Sequence, residues 1–294
     1  MRTILKWNAM DLTNLRYFLA VAREGSMTHA ASTLFISQPT LSKRMSALEA
    51  ELGHKLFRRS GSALELTDAA RLLRERAETL IAMADKTAAE VRAFDETLAG
   101  DLFFGLAESP HIRYVARWVS EFQDAHPAVR FRITSGDTEQ VVDMLHAGLL
   151  DFAVLASRPY PQIYHTVALP EADVWGVVTP RGSELAGHES LSPRDLAGVP
   201  LICSEQAWDP VIVPWAGDVE LRLAGSTRLA YNGAQFVREG LGHMLTFAGL
   251  VNLGEDLVFR PLVPRLETQL HLVWLRAGQL SPLAQRFAEK MEAR

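Results

Sequence analysis

The chain has 294 residues, of which 48% are hydrophobic and 22% charged, with 14 prolines and 19 glycines. This composition excludes fibrous and disordered proteins, and the length predicts two or three folding units. The single cysteine, Cys203, excludes an intramolecular disulfide, argues against a cysteine-based metal site and favours a reducing cytoplasm. The sequence contains neither the ~18 consecutive apolar residues of a membrane span nor the apolar run of a signal peptide.

Positive charge is concentrated at the N-terminus. Residues 1–66 carry nine basic and five acidic side chains, a net charge of +4, whereas residues 67–99 carry −2 and residues 100–294 carry −7. A polyanion such as DNA is therefore attracted to the first 66 residues and repelled by the remainder.

Residues 10–66 show three segments with helical spacing of apolar side chains and then a predicted hairpin at 55–66. Ser26 and Ser37 are predicted to cap the second and third helices, and Pro39 fits the first turn of the third. Helix, helix, turn, helix and hairpin is the layout of a winged helix-turn-helix domain, whose recognition helix lies in the major groove of DNA.

The ends of these helices are also marked in the sequence. Asp11 is the predicted N-cap of the first helix and Gly25 its end, while Gly53 ends the third helix. Between the second and third helices, Phe35 and Ile36 are predicted to form the turn.

Residues 67–99 contain no glycine or proline and predict one long helix. Apolar positions from Ala70 onward are spaced alternately three and four residues apart, as in a coiled-coil seam. A seam of this length favours pairing with the same helix of a second chain, and packing on its own domain is the alternative. The residues assigned to this dimerisation seam are Leu73, Ala77, Leu80, Ala84, Thr87, Val91, Phe94 and Leu98.

Residues 100–294 alternate short apolar runs with helical stretches. Predicted strands at 102–106, 129–134 and 152–155 are separated by two predicted helices, which gives two βαβ units and parallel strands. The later predicted strands are 174–178, 201–203, 228–231, 244–247, 257–259 and 270–275, with helices near 192–196, 234–239 and 281–291.

Two half-domains fit this pattern better than one sheet. We expect lobe I to comprise residues 100–169 and 269–294, and lobe II residues 170–268, with a cleft between them. Ligands of such sheets bind beyond the C-terminal ends of the parallel strands.

Four sequence motifs in the N-terminal region carry a family resemblance. They are MDLTNLRYFLAVA at 10–22, GSMTHAA at 25–31, SQPTLSKR at 37–44 and LFRR at 56–59. These motifs closely resemble the DNA-binding domain of the LysR-type bacterial transcriptional regulators, with a dense match over residues 10–70. Residues 1–9 precede the usual start of that family, so Met1 and Met10 are both candidate initiation sites.

A weaker match continues towards the C-terminus, through FQDAHP at 122–127, LHAGLLD at 145–151 and GLG at 240–242. These motifs resemble the family's effector domain and imply the two-lobed α/β fold of periplasmic binding proteins. The resemblance also implies a homodimer or homotetramer whose effector changes DNA bending and contact with RNA polymerase.

The predicted recognition helix carries side chains suited to base contacts. The Gln38 amide can pair bidentately with adenine, and Ser42 and Lys43 can reach base edges or phosphates. Pro39 and Thr40 offer apolar contact to a thymine methyl group. The resemblance implies contacts near the bases at Gln38, Pro39, Ser42 and Lys43.

Other side chains are predicted to lie along the DNA backbone. The resemblance places Arg44, Ser26 and Thr28 there, and Arg58 and Arg59 of the hairpin border the same backbone. A solvated surface cation is the alternative for Arg44, and a plain helix cap is the alternative for Ser26.

The turns that open towards the predicted cleft contain candidate ligand groups. Hydroxyl groups at helix N-termini, where N–H groups are free, favour an anion, and an arginine can pair a carboxylate bidentately. The predicted effector-binding residues are Ser109, Thr138, Arg158, Ser204, Trp208 and His243.

Alternatives remain for this site. Ser109 and Thr138 can be plain helix caps, and Arg158 can form a surface ion pair. If Glu108 and Asp137 face the cleft, a zwitterionic, amine-bearing or aromatic ligand competes with a simple acid.

Other chemistries have little support in the sequence. Cys203 fits a small buried hydrophobic residue better than a thiol sensor, and the histidines show no metal-ligand spacing. Neither a nucleophile elbow nor a phosphate-binding or dinucleotide-binding glycine motif occurs. We therefore expect a cytoplasmic regulator that binds operator DNA, with no cofactor, metal, catalytic residue or membrane partner. The alternatives are a constitutive regulator without effector and an enzyme with an appended DNA-binding head.

Overall fold

A computed structural model divides the chain into two compact units, residues 1–92 and 93–294. Among the helices that the structure describes, none is long and apolar enough to cross a lipid bilayer. The described residues are 9–60, 63–92, 98–156, 159–278 and 280–294.

The first unit is the expected winged helix-turn-helix followed by a long helix. Its two hairpin strands pair antiparallel. Its elements are α1 (Leu12–Glu24), α2 (Met27–Thr33), α3 (Gln38–Leu52), β1 (Phe57–Ser60), β2 (Ala63–Leu66) and α4 (Asp68–Arg92).

The predicted N-caps of the three short helices are confirmed. The Asp11 carboxylate accepts a hydrogen bond from the backbone N–H of Asn14 at 2.7 Å. The Ser26 hydroxyl accepts one at the start of α2, and the Ser37 hydroxyl accepts one from the N–H of Thr40, each at 3.3 Å. Each bond satisfies a donor that has no partner within its own helix.

The side chain of Glu49 ties α3 to the hairpin. Only 9% of this residue is exposed. Its Oε1 accepts the backbone N–H of Leu56 at 2.9 Å, and its Oε2 lies 2.6 Å from Nζ of the exposed Lys55. One buried carboxylate therefore bonds α3 to the segment that leads into the hairpin.

Helix α4 packs against α1, and this corrects part of the predicted dimerisation seam. Ala77 is buried and Leu73 half-buried in the core of their own domain, so the alternative interpretation holds for these two residues. The buried stripe continues to Ile81 and not to Leu80, because a straight helix repeats every 3.6 residues.

The remaining seam positions differ in their surroundings. Leu80, Thr87 and Val91 are exposed and Ala84 is half-buried. Phe94 lies outside the described residues. Leu98 is not helical and packs against the core of the second unit, so the expectation that the seam reaches Leu98 is wrong.

The second unit contains two sheets. The first has the strand order β4-β3-β5-β13-β6 and the second the order β11-β7-β10-β8-β9, with β12 paired to β7. The strands are β3 (Gly100–Leu106), β4 (Val129–Ser135), β5 (Phe152–Leu155), β6 (Tyr164–Ala168), β7 (Asp173–Pro180), β8 (Pro200–Cys203), β9 (Arg222–Ser226), β10 (His243–Phe247), β11 (Leu257–Pro261), β12 (Glu267–Thr268) and β13 (His271–Leu275). The helices are α5 (Ile112–Ala125), α6 (Thr138–His146), α7 (Glu205–Ala207), α8 (Val213–Ala216), α9 (Ala230–Arg238) and α10 (Pro282–Glu292), with 3-10 turns at Glu184–Gly187 and Pro193–Leu196 and a π-helical turn at Trp208–Ile212.

The predicted βαβ units are confirmed, since β3 pairs in parallel with both β4 and β5. The strand predicted at 228–231 is wrong, because α9 begins at Ala230 and the strand lies earlier, at β9. Strand β9 lies at the edge of its sheet and its side chains are largely exposed, so it lacks the apolar run by which buried strands are recognised.

Each sheet has its own core. In the first lobe, the ring of Phe287 from α10 packs 5.6 Å from Phe104 and 5.0 Å from Phe152, measured between ring centroids. In the second lobe, Val177, Leu201 and Cys203 are fully buried. The chain passes between the lobes at 169–172 and again at 269–270, so the two lobes share two connecting segments.

We predict that Glu49→Ala destabilises the first unit by about 1–3 kcal/mol, because it leaves the buried N–H of Leu56 without an acceptor. Urea unfolding followed by circular dichroism measures this change. Glu49→Gln keeps an acceptor oxygen, and Lys55→Ala removes an exposed cation while both backbone hydrogen bonds to Glu49 remain, so each should cost less than Glu49→Ala. Equal costs for Glu49→Ala and Lys55→Ala would contradict the buried hydrogen bond.

Candidate DNA-binding surface and effector cleft

The two faces of α3 have opposite character. Leu41, Met45 and Leu48 are fully buried against the rest of the domain. The side chains predicted to contact bases lie on the other side of the helix, at its N-terminal half. Gln38, Pro39, Thr40 and Lys43 are exposed and Ser42 is half-buried.

Arg44 is exposed, and its guanidinium contacts two side chains of its own domain. Its guanidinium donates to Oδ1 of Asn14 at 3.1 Å and lies 5.4 Å from the ring centroid of Tyr17. Asn14 is itself buried and donates to the carbonyl of Ala9. This chain of contacts fixes the guanidinium beside the exposed face of α3.

The remaining backbone candidates have mixed environments. Ser26 is the N-cap of α2, and Thr28 is exposed in its first turn. Arg58 is exposed and donates from Nε to Oε2 of Glu65 across the hairpin at 3.1 Å. The side chain of Arg59 lies outside the described residues.

A cavity of about 910 Å³ separates the two lobes of the second unit. Its walls are the segments that follow β3, β4, β8 and β9, which is the C-terminal edge where ligands of parallel sheets bind. A neighbouring cavity of about 410 Å³ is lined partly by Trp175, Met244 and Phe247. The large cavity is lined by residues 106–108, 135–140, 142, 204–206 and 226–229.

Among the described residues, three residue pairs make direct polar contacts across this cleft. Oε1 of Gln206 accepts both the backbone N–H and the hydroxyl of Thr138, at 3.0 and 3.1 Å. Oε2 of Glu108 accepts the backbone N–H of Ala230 at 2.7 Å. The Arg228 guanidinium lies 3.4 Å from the carboxylate of Asp137.

These contacts place the protein's own oxygen atoms at two helix N-termini. Asp137, and not Thr138, is the N-cap of α6, and it accepts from the N–H of Gln140 at 2.9 Å. At the N-terminus of α9, Glu108 of the opposite lobe accepts the hydrogen bond from Ala230. The N–H groups of Thr138 and Gln140 in α6 and of Ala230 in α9, which would otherwise favour an anion, are therefore already bonded.

Ser109 lines neither cavity, so the structure does not support its predicted role as a ligand residue. It is 9% exposed, and its hydroxyl accepts the N–H of His111 at 2.9 Å. Nδ1 of His111 lies 2.8 Å from Oδ1 of the buried Asp173. Burial raises the pKa of Asp173, and the contacts with Ser109 and His111 oppose that shift only in part.

Two further predicted ligand residues do not reach the cleft. Trp208 is half-buried against the core of the second lobe and lines neither cavity. His243 stands at the N-terminal end of β10, which runs parallel to β8, so it lies at the edge opposite the cleft. There Nδ1 of His243 lies 2.6 Å from the hydroxyl of Thr179, and burial lowers the pKa of the imidazole.

Of the other predicted ligand residues, Ser204 lines both cavities, and Arg158 lies outside the described residues. Sequence reasoning missed Gln206 and Arg228. Gln206 follows a correctly predicted strand by three residues, which is a usable signal. Arg228 was hidden by the wrong strand assignment at 228–231.

Family models match both units. Residues 12–71 match the bacterial regulatory helix-turn-helix domain of the lysR family, and residues 95–294 match the LysR substrate binding domain. The chain belongs to the LysR family. It is a DNA-binding transcriptional regulator with a substrate-binding domain, and the family consists of regulators, not enzymes.

Relatives and solved structures agree with this LysR assignment. The uncharacterized HTH-type transcriptional regulator YnfL of Escherichia coli (strain K12) is 28% identical over 296 residues, covering 95% of this chain and 96% of that protein. The crystal structure of CbnR, a LysR family transcriptional regulator, has a TM-score of 0.77 at 23% identity and covers 97% of this chain and 99% of CbnR. Full-length CbnR complexed with its target DNA has a TM-score of 0.76, with the same identity and coverage.

We predict that Gln38→Ala weakens binding of this LysR regulator to its preferred DNA by about 1–3 kcal/mol and relaxes the sequence preference, because a bidentate base contact is lost. Lys43→Ala should weaken binding to all sequences and lower the salt dependence. Fluorescence anisotropy at several salt concentrations distinguishes the two effects. An equal loss on every DNA sequence for Gln38→Ala would contradict base readout.

We predict that Cys203 of the folded regulator resists alkylation. The residue is fully buried, and burial raises the pKa of its thiol to about 12, so the thiol stays protonated at pH 8. Iodoacetamide labelling followed by mass spectrometry should show modification only after denaturation. Rapid labelling of the native protein at pH 8 would instead support a thiol sensor.

Proposed function

We propose that this regulator binds operator DNA through the exposed face of α3 and the hairpin, and that a small molecule binds in the cavity between the lobes. The supporting observation is the cavity of about 910 Å³ at the C-terminal strand ends, whose walls come from both lobes. A ligand that contacts both lobes stabilises some arrangements of the lobes more than others. In this way ligand binding alters DNA recognition.

The charges of the cavity indicate the chemistry of this ligand. Glu108, Asp137, Glu139 and Glu205 line it, against the single guanidinium of Arg228 among the described lining residues. Asp137 is paired with Arg228 and Glu205 accepts a hydrogen bond from Ser226. A ligand with an ammonium group or several hydroxyl donors suits these oxygen atoms better than a simple organic acid does.

A constitutive regulator is the second candidate, and the cross-cleft contacts favour it. The bonds from Glu108 to Ala230, from Gln206 to Thr138 and between Asp137 and Arg228 hold the lobes together with protein atoms alone. In that case the two carboxylates and the amide take the place of an effector. The two candidates differ in whether any added molecule stabilises the fold.

The exposed part of α4 supports assembly. Leu80 is 48% and Val91 66% exposed on one side of the helix, and burial of such apolar side chains drives pairing with a second α4. We propose a homodimer or homotetramer in the bacterial cytoplasm that contacts RNA polymerase and acts by binding, without catalysis.

Thermal unfolding of the full chain against amines, amino acids, polyols, organic acids and aromatic compounds tests the effector proposal. A compound at 100 times its Kd should add about 2.7 kcal/mol of stability. We predict a saturable hit from a donor-bearing compound that Gln206→Ala or Glu108→Gln weakens. Gln235→Ala, a matched change at a half-buried position of α9 that lines neither cavity, should leave it unchanged.

Two outcomes decide between the candidates. A hit weakened equally by all three variants would place the ligand outside the cleft. No hit, together with operator binding that Glu108→Ala and Gln206→Ala reduce in the absence of any ligand, would establish a constitutive regulator whose cross-cleft contacts set its active form.

A further inference from the structure

Three helices of the first unit end in the same left-handed backbone conformation. The residues are Gly25 with φ of 59°, Gly53 with φ of 70° and Phe35 with φ of 54°. Within the described ranges, Phe35 is the only residue other than glycine that has a positive φ. A bulky side chain in this conformation is a strained choice, and it calls for an explanation outside local folding.

The hydrogen bonds at the end of α2 explain why residue 35 has a left-handed backbone, but they do not explain why this residue is a phenylalanine. The N–H of Ile36 donates to the carbonyl of Ala31 at 3.0 Å, and the N–H of Phe35 donates to that of Ser32 at 3.1 Å. This pair of bonds is a Schellman motif, in which glycine is the usual left-handed residue. The accompanying apolar contact comes from Ile36, which packs against the domain core. Folding therefore requires only a residue that accepts this backbone conformation at position 35.

The ring of Phe35 contributes nothing to that core, since the residue is 95% exposed. Phe35 thus has two unfavourable features: its backbone is strained, and its apolar ring is exposed to water. Phe35 stands two residues before Ser37, the cap of α3. In helix-turn-helix domains the N-terminal residues of the recognition helix meet the base edges, and Phe35 precedes the first of these, Gln38, by three residues.

We propose that Phe35 is a DNA-contacting residue whose ring packs against the 5-methyl group of a thymine at the edge of the site read by α3. The inference rests on the proposed use of α3 for base contacts. In the major groove, the thymine methyl is the apolar group that a phenyl ring recognises. The left-handed backbone directs the ring outwards before DNA binds, and a phenylalanine has only two side-chain torsions to fix.

The test uses the full chain and a duplex that it selects from a random-sequence library. Each thymine in turn is replaced by deoxyuridine, which removes only the methyl group. Wild-type protein should lose affinity about fourfold at one position next to the α3 site, the factor that corresponds to burial of one methyl group. Phe35→Gly should bind the thymine duplex more weakly by at least that factor and show no further loss with deoxyuridine at this position.

The variants keep the backbone in place. Glycine is what this chain itself uses at positions 25 and 53, and Phe35→Asn also tolerates the left-handed conformation. Both should match or exceed the wild-type unfolding temperature. Leu72→Ala removes an exposed apolar side chain of the same unit, on α4, and should retain the wild-type response to deoxyuridine.

Several results would overturn the assignment. Equal affinity of wild type and Phe35→Gly excludes a DNA contact, and an equal loss at every thymine excludes contact with a particular methyl group. A lower oligomeric mass of Phe35→Gly in light scattering, without coupling to deoxyuridine, would assign the ring to a second copy of the chain. If Gln38→Ala also leaves binding unchanged, the failure lies with the α3 surface as a whole.

Discussion

The arrangement of the second unit depends on the two segments that connect its lobes. At this crossing the N–H of Leu169 donates to the carbonyl of Leu270 at 2.9 Å, and the side chain of Gln269 donates to the carbonyl of Leu169 at 2.8 Å. The two connecting segments are hydrogen-bonded to each other. They therefore join the lobes as one unit, which restricts the directions in which one lobe can move against the other. The strand ends that line the cavity face each other for this reason.

The cleft combines this covalent restriction with contacts that are individually weak. A neutral hydrogen bond contributes roughly 1 kcal/mol and an exposed ion pair less. The three cross-cleft contacts are therefore comparable to the differential binding energy of a small ligand. For the ligand proposed above, replacing one oxygen atom of the protein by one of the ligand would then be enough to change the relative stability of the lobe arrangements.

Local chemistry made most of the fold predictable. Helix caps at Asp11, Ser26 and Ser37 depend on residues within three positions of each other, and the parallel strands follow from short apolar runs separated by helices. The edge strand β9 was not predictable in this way, because its side chains are mostly exposed. The seam of α4 was misassigned because the sequence does not reveal which of two apolar partners, α1 or a second chain, covers each turn.

The functional surfaces were predictable to different degrees. Base-contact candidates on α3 follow from helical periodicity once the cap is known, whereas ligand candidates require knowledge of which end of each strand faces the cleft. The prediction for His243 lacked that knowledge. For Ser109, the sequence did not reveal the contacts with His111 and Asp173, which are distant from one another in sequence. Arg44 has a consequence of another kind. Its bond to Asn14 and its contact with the ring of Tyr17 restrict the side chain when the domain folds, so in the proposed contact with a phosphate the guanidinium would already be partly ordered and would lose less entropy.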